Sequence, residues 1–354
     1  MLFTDWLRLL GRHGFRIHPQ RLGVAVGATI VSTFNSKMRL AQLALLGHQI
    51  KKTPLAADPI FILGHWRSGT TYLHELLSLD ERFNSPTTYQ CFAANHFLLT
   101  ESIITKLFWF LIPSRRPMDN MQAGWHAPQE DEFALCSLGV PSPYLRIAFP
   151  NDDGNEYLEY LDMQDVPAED LDQWKVALTT FLQSLTKHCD KRLTLKSPTH
   201  TGRVRMLCEM FPNAKFIHIA RDPYDVVPST MRLWKSLEYV QALQSPNDDH
   251  LPDYIFRAYR RMYDGYFSFR DQLPKDRLIE VKYESLVEDG VGVMQRIYEQ
   301  LELGEFDSMQ KPLTENLESR KDYKKNQHTL DAELVSQINE HWHDYFQHFD
   351  YPQQ

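Results

Sequence analysis

The sequence predicts an α/β protein, a parallel β-sheet flanked by helices and carrying a largely helical insertion. Short apolar runs at residues 59–64, 192–196, 215–220 and 277–282 read as buried strands. Helical patterns separate them at 70–79, 199–210, 224–236 and 253–273. Strands alternating with helices build βαβ units, whose strands run parallel. The 354 residues include 43% hydrophobic and 24% charged side chains, ordinary proportions for a folded chain. They exclude a disordered chain, a collagen-like repeat and a disulfide-stapled miniprotein. A net charge of -8 argues against a general nucleic-acid binder. Cys91, Cys136, Cys189 and Cys208 are widely spaced, which indicates neither a zinc site nor a disulfide framework and suggests reduced core thiols.

The start of the chain reads as a helix with Phe3, Trp6, Leu7 and Leu10 on one face and Arg8, Arg12 and Arg16 on another. Such a helix either lies on an anionic membrane surface or packs on its own domain, and the second is expected. Residues 1–58 carry eight basic and two acidic side chains, +6, against -14 for the remainder. No signal peptide is read, because Asp5 and Arg8 interrupt the start. Residues 22–36 are uncharged but fall short of the roughly 20 needed to span a bilayer. Residues 91–113 are broken by Glu101 and Lys106. The expected location is cytoplasmic, or peripheral on the inner face of a membrane through the basic N-terminal helix. The expected organisation is an N-terminal helical segment (1–58) and an α/β domain (59–325) with a helical insertion at about 84–190. A C-terminal segment (326–354) then packs on the same domain through an amphipathic helix at 331–349. Within the insertion only 144–149 reads as a strand candidate.

The informative stretch lies between the first strand and its helix: Gly64-His65-Trp66-Arg67-Ser68-Gly69-Thr70-Thr71. Two glycines five apart let the backbone curl so that successive N–H groups face one concavity. The next helix adds its positive N-terminal end. This P-loop-type geometry suits a phosphate-like group. A nucleotide triphosphatase would carry lysine where Thr70 stands, and here Arg67 is the loop's cation instead. The bland reading is a glycine-bounded turn.

A second anion pocket is read at Lys215-Phe-Ile-His-Ile-Ala-Arg221-Asp222-Pro223, a strand ending in arginine. Asp222 suits an N-cap and Pro223 a first helical position. Ser229, two turns on, faces back toward the strand end. Carboxyl ends of parallel strands are where such sheets bind ligands. The bland reading pairs Arg221 with a carboxylate.

The loop GHWRSGTTYLHELL, the segment LTLKSPTHTGRVRMLCEMFPNAKFIHIARDPYDVVPST and the later VKYESLVED, in that order, resemble the sulfotransferases that use 3′-phosphoadenosine 5′-phosphosulfate (PAPS). The resemblance is to the bacterial-type Arg-Ser-Gly-Thr-Thr branch related to protein-tyrosine sulfotransferases, over about residues 59–325. It implies sulfuryl transfer from PAPS to a hydroxyl or amine, leaving adenosine 3′,5′-bisphosphate (PAP), with no metal. It assigns Arg67, Ser68, Gly69, Thr70 and Thr71 to the 5′-phosphosulfate, and Arg221 and Ser229 to the 3′-phosphate. Lys196 neutralises the transferring group, and Tyr283 lies near the nucleotide. Relatives close the site with a late basic loop, for which Ser319 to Lys325 is the candidate here, although it lacks glycine.

Sulfuryl transfer needs positioned cations and a base for the acceptor's proton. Arg67 and Lys196 supply the charge. The base is sought in His126-Ala-Pro-Gln-Glu130-Asp131-Glu132, where Pro128 suits a helix start and the carboxylates favour the helix dipole in any case. Glu130 is placed first, Glu132 and Asp131 behind it, with His126 and His65 as imidazole candidates. Two other functions compete: a P-loop kinase for a small molecule, and a non-catalytic nucleotide-binding protein on the same scaffold. The acceptor is expected to be a small molecule, a glycan or a lipid. Aromatic stretches at 89–125 and 254–269 hint at an apolar acceptor, although core is their default role.

Overall fold

The computed structural model describes residues 1–111, 124–152, 157–319 and 330–354. Most of the late basic loop anticipated at 319–325 lies outside them. The chain forms two compact units, each from three stretches. The helical unit comprises 1–57, 85–193 and 233–251, and the sheet unit 58–84, 194–232 and 252–354.

The described residues build one five-stranded sheet from β1 (Ile60–Leu63), β2 (Phe83–Asn84), β3 (Arg192–Lys196), β4 (Lys215–Ala220) and β5 (Leu278–Lys282), in the order β2-β3-β1-β4-β5. The anticipated strands are all present within a residue of their expected ends. β2, two residues long, is too short to leave a periodic signal. β1 pairs in parallel with β3 and β4, and β4 with β5. Every side chain of β1 is buried, as expected for a central strand covered on both faces. Ile60, Ile62, Ile217 and Ile219 pack on one side against Leu73, Leu76 and Leu77 of helix Thr70–Leu77 and Val293 and Ile297 of helix Gly290–Leu301. Phe61 and Phe216 stack on the other, with centroids 5.6 Å apart. Because Ile62 pairs with Lys196 and Leu63 with His218, the carboxyl ends of β3, β1 and β4 come out side by side.

The stretch 254–269 takes its default role. Tyr254, Tyr259, Tyr263 and Tyr266 of helix Leu251–Arg270 are buried. Tyr259, Tyr263 and Tyr266 join Trp342, Tyr345 and Phe349 of the C-terminal segment in one aromatic layer. That segment forms two helices, Ala332–His341 and His343–His348, rather than one.

In the helical unit, helix Phe3–Arg12 buries Trp6, Leu9 and Leu10 against Ala25, Phe149 and Leu243, so it packs on its own unit. The buried stripe is rotated from the anticipated one: Leu9 is inside and Leu7 outside. At 100° per residue Leu7 falls beyond the stripe's edge. The largely helical stretch contributes Thr88–Phe92, Phe97–Leu107, Asp131–Ser137 and Ala168–His188. The strand considered at 144–149 is instead a 3₁₀ helix, Pro143–Ala148. Pro143 sits at its first turn and the Ser142 hydroxyl accepts from the Tyr144 N–H, two local signals that start a helix. No disulfide joins the cysteines, and only Cys91 is fully buried, the other three being half-buried rather than core. Among the described residues no helix is long and apolar enough to cross a membrane.

His218 of β4 is wholly enclosed, stacked between Tyr266 and Phe349 with its Nε2 3.2 Å from the Tyr263 hydroxyl. Burial pushes its imidazole down from 6.5 to about 4. Between those values the unfolded chain binds the extra proton, so the stabilisation is present above pH 6.5 and fades as pH falls. We expect His218→Phe, which keeps the stack, to shrink the stability difference between pH 7 and pH 5 by about 2 kcal/mol. Urea unfolding at the two pH values measures it, and an unchanged difference would contradict the assignment.

Candidate active site

The site of the sheet unit begins where β1 ends. Gly64 has φ +141°, and a Cβ there would meet the Ile219 carbonyl and the Ser68 hydroxyl, each at 2.6 Å. Its N–H donates to Thr201 Oγ1 at 2.8 Å. Ser68 turns its hydroxyl back onto the His65 carbonyl at 2.8 Å and closes the loop internally. Arg67 occupies the left-handed region at φ 67°, an unusual cost for a non-glycine residue. Gly69, at φ +103°, caps helix Thr70–Leu77.

Arg221 follows β4 directly, and the Asp222 carboxylate accepts from the Tyr224 N–H at the start of helix Pro223–Gln241, as expected for the cap. Arg67 and Arg221 are brought together. Arg67 Nε donates to Ser229 Oγ at 2.9 Å, and Arg221 Nη1 donates to the Arg67 carbonyl at 3.1 Å. The salt-bridge reading also holds, since Arg221 Nη2 pairs with Asp225 at 2.8 Å. Arg221 Nε nevertheless stays buried without a hydrogen-bond partner. Tyr283 lies beneath this group, with the Arg221 guanidinium 4.5 Å above its ring. Lys196, buried at the end of β3, donates to Thr71 Oγ1 at 3.2 Å. Arg67, Ser68, Gly69, Thr70, Thr71, Lys196, Arg221, Ser229 and Tyr283 therefore all gather at one edge of the sheet. An orphaned guanidinium nitrogen, two clustered arginines and a helix N-terminus fit a phosphate- or sulfate-bearing ligand.

Three supporting residues went unnoticed in the sequence. Asp225 sits four residues after Arg221, a spacing that was readable. Thr201 ties down Gly64 from another segment. Tyr345, 124 residues away, brackets Arg221 by accepting from its N–H at 3.0 Å and donating to its carbonyl at 3.2 Å.

His65 is sealed in the core beside Trp66, Tyr259 and Trp342. Its Nδ1 lies 3.0 Å from the Trp66 carbonyl, and burial pushes it down to about 4. That enclosure suits a packing role better than proton transfer. The remaining base candidates lie in the helical unit. Pro128 does not start the helix: it pairs with Thr87 in an isolated bridge, and helix Asp131–Ser137 begins three residues later. Glu130 is the N-cap residue, half-buried, and its carboxylate accepts from the Tyr144 hydroxyl. Asp131 and Glu132 are fully buried, and Glu132 accepts from Ser142. His126 is exposed over 71% of its side chain and lies 3.9 Å from Glu101.

A parallel sheet ending in a P-loop-type turn beside a second arginine pocket is an α/β frame suited to an anionic ligand, and the family follows from comparison. Residues 59–308 match the model of the sulfotransferase family. The chain belongs to that family and is an enzyme of sulfuryl transfer, as the ordered motifs implied. It is 43% identical over 349 residues, 99% of its length and 89% of theirs, to the omega-hydroxy-beta-dihydromenaquinone-9 sulfotransferases Stf3 of Mycobacterium bovis and Mycobacterium tuberculosis. Its fold matches the crystal structure of sulfotransferase STF9 from Mycobacterium avium with a TM-score of 0.73 at 20% identity, over 95% of this chain and 87% of that one. Sulfotransferase STF1 from Mycobacterium tuberculosis matches with a TM-score of 0.63 at 16% identity, over 96% and 91%.

The Gly69 turn yields a prediction. A Cβ at Gly69 would stand 2.4 Å from Tyr283 Cδ2, on a backbone that disfavours any side chain. Gly69→Ala is expected to cost at least about 2 kcal/mol, from overpacking and strain together. In a Tyr283→Ala background the cost of Gly69→Ala should shrink by the packing part only. Chemical denaturation of both single variants and the double variant reads this out, and a Gly69→Ala cost that vanishes in that background would show that the backbone carries no strain.

Proposed function

We propose that this chain transfers the sulfuryl group of PAPS to the hydroxyl of a lipid-like acceptor and releases PAP. The observation that carries the reading is that Arg67, bonded to Ser229, and Arg221, bonded to the Arg67 carbonyl, meet at one edge of the sheet while Arg221 Nε stays buried and unpartnered. The backbone N–H groups of Ser68 to Thr71 and the helix N-terminus hold the 5′-phosphosulfate end. Arg221 and Ser229 hold the 3′-phosphate. PAPS supplies an activated sulfuryl group whose departure leaves negative charge on the bridging oxygen. Arg67 and Lys196 stabilise that charge, which is worth more in a site closed to water. Tyr283 keeps the Arg221 guanidinium flat and in place. We assign the general base to Glu130, the half-buried carboxylate of its cluster: Glu130 accepts the acceptor's proton while the Tyr144 hydroxyl orients it. A menaquinone derivative as acceptor is supported by the name of the relatives and the extent of the match.

PAP should raise the melting temperature in EDTA through binding linkage. Arg221→Ala should weaken PAP by about 1.5–3 kcal/mol, the value of a charge-assisted contact, and spare a nucleotide lacking the 3′-phosphate. Stabilisation by ATP-Mg and not by PAP would favour the kinase reading, and equal losses for both nucleotides would mean that Arg221 acts through stability alone.

Glu130→Gln preserves shape and hydrogen bonding but removes the proton acceptor. We expect kcat to fall by about 10²–10⁴, the usual span for a general base, with PAP affinity unchanged. Near-normal turnover in Glu130→Gln, with loss in Glu132→Gln, Asp131→Asn or His126→Ala, would move the assignment within the cluster.

A further inference from the structure

Helix Leu22–Lys52 of the helical unit takes no part in the proposed chemistry, and it leaves many large apolar side chains exposed. It runs 31 residues, roughly 46 Å at 1.5 Å per residue. An ordinary surface helix turns its apolar stripe inward. Here three of the five buried residues are polar: Ser32, Asn35 and Gln42. Outside stand Val26, Ile30, Val31, Phe34, Leu40 and Leu45, with Ile30, Leu40 and Leu45 exposed at 65%, 70% and 66%. Polar side chains on and beside the inward side hydrogen-bond within the unit. Thr29 accepts from the Trp6 indole at 2.9 Å, Ser36 accepts from the Phe3 N–H at 2.9 Å, and Asn35 Oδ1 accepts from His96 Nε2 at 2.9 Å. The helix is thus fixed with its apolar side facing out.

His96 precedes helix Phe97–Leu107, which brings a second apolar group: Ile103, Leu107 and, just beyond it, Trp109, exposed at 73%. An indole with an apolar body and a polar N–H favours the boundary between hydrocarbon and water. Charge singles out the partner. Residues 6–57 contain eight arginines and lysines and not one carboxylate, in a chain whose net charge is -8. Lys37, Lys51, Lys52 and Lys106 are exposed beside the apolar residues.

We propose that this face docks on an anionic lipid bilayer, with helix Leu22–Lys52 lying in the headgroup plane rather than crossing it. Apolar side chains enter the acyl boundary, and the lysines meet anionic headgroups. A second copy of the chain is the other conceivable occupant, but a two-fold contact through this face would bury its exposed lysines against those of the other copy. The proposal is independent of the donor and acceptor assigned above.

The test mixes full-length protein with phosphatidylcholine vesicles and with vesicles enriched in phosphatidylglycerol, followed by sedimentation. Binding to the anionic vesicles is expected, weakened by salt. Val26→Glu with Ile30→Glu should lower it at least tenfold, and each of Lys37→Ala, Lys51→Ala and Lys52→Ala about fivefold. These positions are exposed, so folding should survive, and an unchanged melting temperature and PAP shift would verify that. Absence of vesicle binding by the unaltered protein would overturn the proposal, as would binding indifferent to the glutamate pair. A dimer that the same pair dissociates, without vesicle binding, would assign the face to a second copy.

Discussion

The sheet-unit site depends on anchoring two arginines at one edge of the sheet. The Arg221 guanidinium donates to the Arg67 carbonyl and the Arg67 guanidinium donates to Ser229, so the fold restrains each separately. Asp225 offsets part of the charge on Arg221, Tyr283 supports its plane, and Tyr345 grips its backbone on both sides. Arg67 is fixed by a left-handed backbone and by Ser229. The outcome is two restrained cations at one edge of the sheet, and under the proposed reading such preorganisation lowers the reorganisation cost of binding and of the reaction.

That arrangement accounts for much of the surrounding architecture. The parallel register of β3, β1 and β4 delivers Lys196, the loop and Arg221 to one edge. The close approach of Tyr283 to Gly69 ties β5 to the same edge, because Tyr283 immediately follows that strand. The C-terminal helices, remote in sequence, contribute Trp342 beside His65 and Tyr345 beside Arg221. A substitution in the aromatic layer would therefore reach the anion site through the Arg221 backbone.

Much of this was legible in the sequence, because the signals are local. Gly64 and Gly69 declare a turn, Arg221-Asp222-Pro223 declares a strand end and a capped helix, and buried runs such as Ile60–Leu63 declare central strands. What escaped detection was tertiary. Tyr345 and Thr201 are ordinary residues until the chain folds back upon Arg221 and Gly64. At 144–149 apolar content outweighed Ser142-Pro143, although that pair carried the truer local signal. The run 22–36 was weighed only for its length as a membrane span. Its exposed apolar side chains stayed hidden because a helical pattern states which residues share a face, not which face turns inward.

The position of the lysine distinguishes this loop's chemistry from that of a nucleotide triphosphatase. There the cation follows the second glycine within the loop, whereas Thr70 stands at that place here, buried at the helix start. The neighbouring strand carries a cation instead, Lys196, which pairs with Ile62 and donates to Thr71 one residue further on. A lysine in the loop and a lysine on β3 would approach a bound group from different sides. The strand-borne one is held by sheet register and by burial of its stem, with little rotamer freedom left to lose. Under the proposed reading, in a reaction with no γ-phosphate to grip, a fixed charge beside the loop serves better than a mobile one within it.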